Sequence, residues 1–408
     1  MHDRDLYSKM LGIQAPWEVL DVELSMKERL VTVMLAYRAD APVHCPECGA
    51  VAPRYDAKPR KWRHLDTMQY QTILVADVPR AKCTEHGVHQ VKVPWAEPSS
   101  RFSAMFERLV IDWLKDATTE AVRKATGLSW DEVDGIMQRA VSRGLARRRP
   151  LDLRVIGVDE KAFRKRHEYV TMVCNAENGT VVHVADDRKA KSLVSFYASL
   201  TADQRAAVEG VTMDMWPAYI EATKLHLPEA LIIFDRFHVS KHLGAAVDKV
   251  RRREHRALAA TGDRRLLRSK YLWLMNEENL SNAQRIEFED LKNSELKVAR
   301  AYALKETARW LWGYERPRAA EKAWKRWIGW AQRCRIEPMV AAGRTIASHL
   351  EGILNAAVSG LSNAVAEGLN SRIQTLKQRA CGYRNKERFK RAIYFHLGGL
   401  DLYPNSCK

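Results

Sequence analysis

The chain has 408 residues, of which 46% are hydrophobic and 29% are charged, a composition that excludes an intrinsically disordered protein and allows two to four folded domains. Its formal net charge of +17 favours a polyanionic partner, and nucleic acid in particular, over charge that serves only solubility. No apolar run has the length of a membrane span, and the polar segment MHDRDLYSKM lacks the apolar core of a signal peptide, so we expect a cytoplasmic protein.

The first motif, within a predicted domain of residues 1–98, is a set of four metal-ligand residues. Cys45 and Cys48 form one pair, and Cys83 and His86 form a second pair after 34 intervening residues. Two such pairs can converge tetrahedrally on Zn²⁺, and a small module gains folding free energy from the metal. The surrounding segments alternate apolar and polar residues, which predicts a β module with structural zinc. His89 lies near the second pair, and a β module with free cysteines is the alternative without metal.

Between residues 99 and 150 the pattern becomes helical. Ser103, either Thr118 or Thr119, and Ser129 are each placed to cap the start of a helix. The spacing predicts a helix-turn-helix whose third helix, beginning near Trp130, reads DNA. We expect phosphate contacts from the basic residues on or beyond the end of that helix, which are Arg139, Arg143, Arg147, Arg148 and Arg149. A plain three-helix linker is the alternative.

From residue 151 the pattern is that of an α/β domain. Residues 151–240 contain three strand-like segments, with an Asn-Gly hairpin signal between the last two, and then helix, strand, helix and strand. This order is that of an RNase H-like core, a five-stranded mixed sheet with flanking helices. Residues 241–344 lack strand-like stretches and predict an all-α insertion, after which residues 345–408 supply the C-terminal helices of the core. The six tryptophans of the insertion predict a helical core, with stacking on exposed nucleobases as the alternative.

Three acidic residues stand on three different elements of this α/β domain. Asp159 follows RVIGV, Asp214 follows GVTM, and Glu367 lies in the helix-like segment LSNAVAEGLNSRIQTLK. The first and fourth strands of an RNase H-like sheet are neighbours, so we expect the two aspartates to lie close together at the carboxyl ends of their strands. Adjacent carboxylates repel each other unless divalent cations bridge them. Since oxygen ligands suit Mg²⁺ or Mn²⁺, the three acids predict a site for such an ion.

The helix that carries Glu367 has a polar and an apolar face. Its polar residues recur at helical spacing and are Asn363, Glu367, Asn370, Gln374 and Lys377. The apolar stripe comprises Leu361, Val365, Leu369, Ile373 and Leu376 and is expected to pack on the sheet. The pattern predicts Glu367 as the third metal ligand, Lys377 as a phosphate contact, and Asn363 and Asn370 as supporting residues. A solvated polar face is the alternative.

Asp235 and His238 form an Asp-x-x-His motif where another helix is expected to begin. Asp235 ends a strand-like segment as well as Asp214 does, but the expected strand order places it one strand further from Asp159. We therefore predict Asp214 as the second ligand and Asp235 with His238 as supporting residues. A local helix cap by Asp235 is the alternative.

Together these motifs resemble those of DDE-type transposases of bacterial insertion sequences, most closely the ISL-three family. The resemblance runs nearly end to end and is carried by CPECG, GVDEKAF, VTMDMWPAYIEA, IIFDRFHVSKHL and SNAVAEGLNSRIQTLKQRACGYRN. It implies a catalytic triad of Asp159, Asp214 and Glu367 on an RNase H-like core that an all-helical insertion interrupts. His86 departs from the family pattern, which usually has a second cysteine there.

The resulting hypothesis is an enzyme that binds the terminal inverted repeats of an insertion sequence and cleaves and rejoins DNA with divalent metal ions. Its partner is then double-stranded DNA, at the transposon ends and at the target, and the pairing of two ends favours a homodimer. Two alternatives remain: a catalytically inactive DNA-binding regulator, and a metal-dependent nuclease that does not join strands.

Overall fold

The computed structural model describes residues 2–164, 168–359 and 364–405, and for Val358, Ala364, Ala366 and Glu367 the description stops at the backbone. The chain forms two compact units. The first comprises residues 1–149, 379–382 and 391–408, and the second comprises residues 150–378 and 383–390. The residues from 391 onwards therefore cluster with the N-terminal part of the chain. The sequence pattern instead predicts that residues 345–408 belong to the RNase H-like core.

The first unit opens with a helix and a five-stranded sheet. The elements are α1 (Asp3–Leu11), β1 (Trp17–Ser25), β2 (Leu30–Tyr37), β3 (Val43–His44), β4 (Val51–Ala52), β5 (Arg54–Thr67), β6 (Tyr70–Cys83) and β7 (Gly87–Gln90). β1 and β2 are antiparallel, β2 and β6 are parallel, and β6 is antiparallel to both β5 and β7. β3 and β4 form a separate two-stranded sheet. The side chains of Trp17, Trp62 and Trp95 are buried and pack edge to face, which fixes the centre of this module.

Three helices complete the first unit: α2 (Ala104–Asp116), α3 (Thr119–Thr126) and α4 (Trp130–Ala146). They begin at the predicted caps, because the hydroxyl oxygens of Ser103, Thr118 and Ser129 each accept a hydrogen bond from a backbone N–H three residues later. The apolar core between these helices also contains Phe395 and Leu402. This packing explains why the C-terminal residues belong to the first unit.

The second unit contains a five-stranded mixed sheet with helices. Its first elements are β8 (Val155–Arg164), β9 (Glu168–Asn175), β10 (Val181–Ala185), α5 (Ala190–Ser199), α6 (Ala202–Ala206), β11 (Gly210–Met213), α7 (Pro217–His226) and β12 (Leu231–Phe234). The strand order is β10-β9-β8-β11-β12. The hairpin strands β8, β9 and β10 are antiparallel, and β8, β11 and β12 are parallel. The predicted mixed sheet is thus present, with its first and fourth strands as neighbours.

The rest of the second unit is helical. Its elements are α8 (Arg236–Ala260), α9 (Lys270–Leu274), α10 (Asn282–Lys292), α11 (Lys297–Trp310), α12 (Pro317–Arg333), α13 (Glu337–Ser348), α14 (Leu350–Val358), α15 (Ala364–Arg379) and the first residues of α16 (Lys386–Leu397). Trp273, Trp324 and Trp327 are buried in the same apolar cluster as sheet residues, whereas Trp310 is 70% exposed. The predicted helical core is therefore correct for these three tryptophans. None of the helices in the described parts of the chain is both long and apolar enough to cross a bilayer.

Candidate active site and zinc cluster

The predicted zinc ligands lie together in the first unit. The ligand atoms of Cys45, Cys48, Cys83 and His86 are all within 4.8 Å of one another. Cys48 Sγ is 3.8 Å from Cys83 Sγ, and His86 Nδ1 is 3.6 Å from Cys83 Sγ. Ligands about 2.3 Å from a tetrahedral zinc ion are about 3.8 Å from one another, which these two separations match.

One thiol of the cluster is poised to ionise. The hydrogen bond with His86 lowers the pKa of the Cys83 thiol to about 6, and the same contact raises the pKa of His86. Thiolates are the metal-binding form of cysteine. His89 Nε2 instead lies 2.5 Å from the carbonyl oxygen of His86, so His86 is the fourth member of the cluster.

The arginines predicted to bind phosphate include two that form a buried ionic network. Glu107 on α2, whose side chain is 1% exposed, pairs with both Arg139 and Arg143. Arg143, 6% exposed, also pairs with Glu97 and donates a hydrogen bond to the carbonyl oxygen of Leu402. The predicted DNA contact of Arg143 is therefore wrong, because a buried guanidinium held by two carboxylates cannot reach a phosphate.

The remaining arginines of this group are more accessible. Arg147 donates to the carbonyl oxygen of Tyr403 over 2.6 Å, and the guanidinium of Arg148 lies 5.8 Å from the ring centre of Tyr394. Burial lowers the pKa of Arg148. Arg149 is exposed. Lys124 on α3 is a further exposed cation, which the sequence analysis did not single out.

In the second unit, the strand registers align three aspartates side by side. The last pair of residues in the β8–β11 ladder is Gly157 with Thr212, and the last pair in the β11–β12 ladder is Met213 with Phe234. Continuing these registers brings Asp159 on β8 level with Asp214 and Asp235, which directly follow the ends of β11 and β12. Neighbouring strands are about 4.8 Å apart. Asp159 and Asp214 are therefore adjacent, and Asp235 is one strand further from Asp159.

Asp159 lies in the middle of its strand and not, as the sequence predicts, after its end, because β8 continues to Arg164. The reason is that β8 pairs with β9 as far as Arg164, well beyond the point where β11 ends. Asp159 thus pairs with β9 on one side. On its other side β11 has already ended at Met213.

The carboxylate of Asp159 is held by two donors. The backbone N–H of Glu160 donates to Oδ1 over 2.6 Å, and Nδ2 of Asn370 donates to Oδ2. Burial raises the pKa of Asp159 in spite of these hydrogen bonds. Oδ1 of Asn370 is buried and has no hydrogen-bond partner among the described residues. A buried carboxylate beside an unsatisfied amide oxygen is an arrangement that a hydrated divalent cation would complete.

Asp214 is coupled to the Asp-x-x-His motif. His238 Nδ1 lies 3.1 Å from Asp214 Oδ2, and His238 Nε2 lies 3.8 Å from Asp235 Oδ2. Although burial acts to raise the pKa of Asp214, the hydrogen bond with His238 and its charge lower it overall. The same hydrogen bond raises the pKa of His238. Asp235 Oδ1 also accepts the backbone N–H of Phe237 over 2.8 Å, so it caps α8, as the alternative interpretation held.

α15 lies along β8 beside Asp159. Lys161 Nζ donates to the carbonyl oxygen of Asn370 over 3.1 Å, and Lys377 Nζ donates to the carbonyl oxygen of Ala162 over 2.6 Å. Leu369 and Ile373, both members of the predicted apolar stripe, are buried. Glu367 is in α15 one turn before Asn370, but its side chain, like the whole of Asn363 and Leu361, lies outside the described residues.

Among the residues that the structure describes, the zinc cluster is the only group of three or more Cys, His, Asp and Glu with converging ligand atoms. Lys161 is not among the residues predicted from the sequence. Side chains alternate between the two faces along β8, so Lys161 lies on the same face as Asp159. Glu160, on the opposite face, lies 3.7 Å from Arg188, and burial raises the pKa of Glu160.

Comparison with known protein families gives the same order along the chain. Residues 156–393 match the model of the ISL3 DDE family, described as a transposase. Residues 41–86 match the zinc-finger of transposase IS204/IS1001/IS1096/IS1165, and residues 91–141 match the helix-turn-helix domain of transposase family ISL3. Together with the sheet and the zinc cluster, these matches define a DNA-binding transposase.

Similar proteins agree over almost the whole chain. The chain is 29% identical to the transposase for insertion sequence element IS1557 of Mycobacterium tuberculosis, over 95% of this chain and 94% of that protein. It is 26% identical to the transposase for insertion sequence element IS1001 of Bordetella parapertussis, over 89% of each. Since the transposase model covers more than half of its length, the chain belongs to the ISL3 family of DDE transposases. The family suggested by the sequence motifs is confirmed.

Proposed function

We propose that this chain cleaves DNA at the terminal inverted repeats of an insertion sequence and joins the released 3′ ends to target DNA, with Asp159, Asp214 and Glu367 as its catalytic acids. The observation that supports the proposal is the parallel pairing of β8 with β11, whose register continues towards Asp159 and Asp214, together with the hydrogen bond of Asn370 on α15 to Asp159. Glu367 lies one turn before Asn370 on that helix, and residues three apart share a helix face. The strand order and the helical insertion support an RNase H-like core.

The residues present fit Mg²⁺ or Mn²⁺. The donors are carboxylates with the unsatisfied oxygen of Asn370 beside them, which suits hard cations that retain water. Asp159, Asp214 and Glu367 would hold such ions, which would supply Lewis-acid activation of a water or 3′-hydroxyl and stabilise the charge on a 3′-oxygen leaving group. The protein's own residues prepare the site: Glu160 N–H and Asn370 fix the Asp159 carboxylate, and His238 orients Asp214 and keeps it ionised.

Recognition of the ends is assigned to the first unit. We propose that the zinc-stabilised module and α2–α4 bind the terminal repeats, with Arg139, Arg147, Arg148 and Arg149 as candidate phosphate contacts. Arg143 is excluded by its burial. Because the reaction brings two transposon ends together, we propose that a homodimer carries it out.

The test is cleavage of DNA that contains the element's ends, with Mg²⁺ present. Asp159→Asn removes charge with little change of shape, so cleavage should fall by about 10³-fold or more while binding to end-containing DNA is retained. Asp203→Asn, at an exposed position on α6, is the matched control and should cleave like the unaltered protein. Full cleavage by Asp159→Asn refutes the assignment. Strand-transfer products separate a transposase from a nuclease that only hydrolyses.

A further inference from the structure

The helical insertion accounts for most of the chain's net positive charge. Residues 241–344 contain 24 Lys and Arg against 13 Asp and Glu, a net charge of +11 out of +17. Its longest helix, α8, begins beside the carboxylate site, because Asp235 caps it and His238 in its first turn contacts Asp214. The distribution of charge on α8 therefore bears on how DNA approaches the site.

One face of α8 is apolar and the opposite face is basic. The buried residues are Val239, Leu243, Ala246, Val247 and Val250. At 100° per residue, the exposed residues centred on the other side are Phe237, Lys241, Ala245, Lys249, Arg252 and Arg256, here called the outer face of α8. Only the buried apolar residues pack α8 against the rest of the second unit, so the outer face of α8 is available for a partner.

Nearby acids neutralise this outer face only in part. Asp248 pairs with Arg251 and Arg252, and Glu254 accepts hydrogen bonds from backbone N–H groups at the start of α11. Within the described part of the chain, no acidic side chain forms an ion pair with Lys241, Lys249 or Arg256. Lys241, Lys249 and Arg256 therefore lie on the outer face outside ion pairs, whereas Arg252 is paired with Asp248. Glu337, which pairs with Arg253, also lies near Lys249.

The length of the outer face matches a stretch of duplex. Phe237 and Arg256 are 19 residues apart, or about 28 Å at about 1.5 Å per residue. That is about eight base pairs at about 3.4 Å per pair along one strand. Phe237 is 56% exposed and marks the end of the face nearest to His238, whose ring centre is 5.7 Å from its own.

We propose that the outer face of α8 binds the phosphate backbone of the DNA duplex that leads to the carboxylate site. This inference rests on the proposed function and adds a second DNA contact, separate from the helix-turn-helix. The partner is double-stranded DNA without sequence preference along this stretch, because Lys and Arg on an exposed helix contact phosphates and carry no base information there.

The first experiment places a negative charge at the centre of the outer face. Ala245→Glu keeps a good helix former at an exposed position, and we expect end-containing DNA to bind about five- to tenfold more weakly because the carboxylate repels phosphates. The matched control is Ala283→Glu on α10, an exposed alanine on a helix that already carries Glu287, Glu289 and Asp290. Equal binding by the two variants overturns the proposal.

A second experiment counts phosphate contacts by salt dependence. The double variant Lys249→Gln/Arg256→Gln should reduce the slope of log K against log salt by about two, since each phosphate contact contributes about 0.9. The control Arg285→Gln/Arg318→Gln removes the same charge from other helices and should change the slope by less. An equal change in both double variants attributes the effect to net charge and rejects the outer face as a binding surface.

These binding measurements remain decisive if the chain proves inactive. Absence of cleavage by the unaltered protein contradicts the proposed function, whereas unchanged affinity and slope in the α8 variants contradict the binding surface alone. Thermal unfolding of each variant establishes that its fold is intact before its binding is compared.

Discussion

The close approach of β8 and β9 at Gly157 allows a quantitative test of the sheet that carries Asp159. Gly157 pairs across the strands with Cys174, which is buried. A Cβ atom at position 157 would lie 2.7 Å from Cys174 Sγ, about 1 Å inside the usual contact distance of about 3.5–4.0 Å. We expect Gly157→Ala to destabilise the second unit by about 1–3 kcal/mol, the usual cost of overpacking.

The assay is thermal unfolding of the full chain, in which about 2 kcal/mol corresponds to a fall in Tm of about 4–8 °C for a unit of this size. The compensating variant Gly157→Ala/Cys174→Ala removes the sulfur atom that the new methyl group meets, so its Tm should recover above that of the single glycine variant. An unchanged Tm for Gly157→Ala, or strictly additive losses in the double variant, would show that the two strands are not packed as described.

Three further predictions concern the first unit. His86→Ala should lower zinc affinity by more than about tenfold in a competition assay with a chelator, whereas His89→Ala should not change it. Glu107→Ala should reduce the free energy of unfolding by about 3–5 kcal/mol because it leaves buried cations unpaired, compared with less than about 1 kcal/mol for the exposed Glu120→Ala. Burial lowers the pKa of His64 to about 4, so the unfolded chain gains a proton near its ordinary pKa of 6.5 while the folded chain does not. Stability should therefore fall by about 2 kcal/mol as the pH drops from 7.5 to 5, with full stability above 6.5, and urea unfolding of His64→Gln should show a smaller loss.

Much of the fold could be predicted because its signals act over a few residues. The caps at Ser103, Thr118 and Ser129 bond to N–H groups three residues away, so they mark helix starts whatever the rest of the chain does. The order of strands and helices also predicts which strands are neighbours, because it is the order of an RNase H-like sheet, in which the first and fourth strands are adjacent. The adjacency of Asp159 and Asp214 follows from that order.

The rest depends on contacts between residues that are distant in sequence. Arg143 looks like a surface cation at the end of a basic helix, but it pairs with Glu107, 36 residues earlier, and with the backbone of Leu402, 259 residues later. The extension of β8 beyond Asp159 is likewise decided by its pairing with β9. No local pattern contains the partner of a long-range ion pair or the register of a strand.

The packing of Phe395 and Leu402 against α2 and α4 has a consequence for shortened copies of such a gene. During synthesis α2–α4 are made early, whereas Phe395 and Leu402 of their apolar core are made last. A product that stops before residue 391 therefore contains the zinc ligands, Asp159 and Asp214, but lacks residues that complete the core of α2–α4. If α2–α4 bind the ends as proposed, such a truncated product should bind them more weakly than the full chain does.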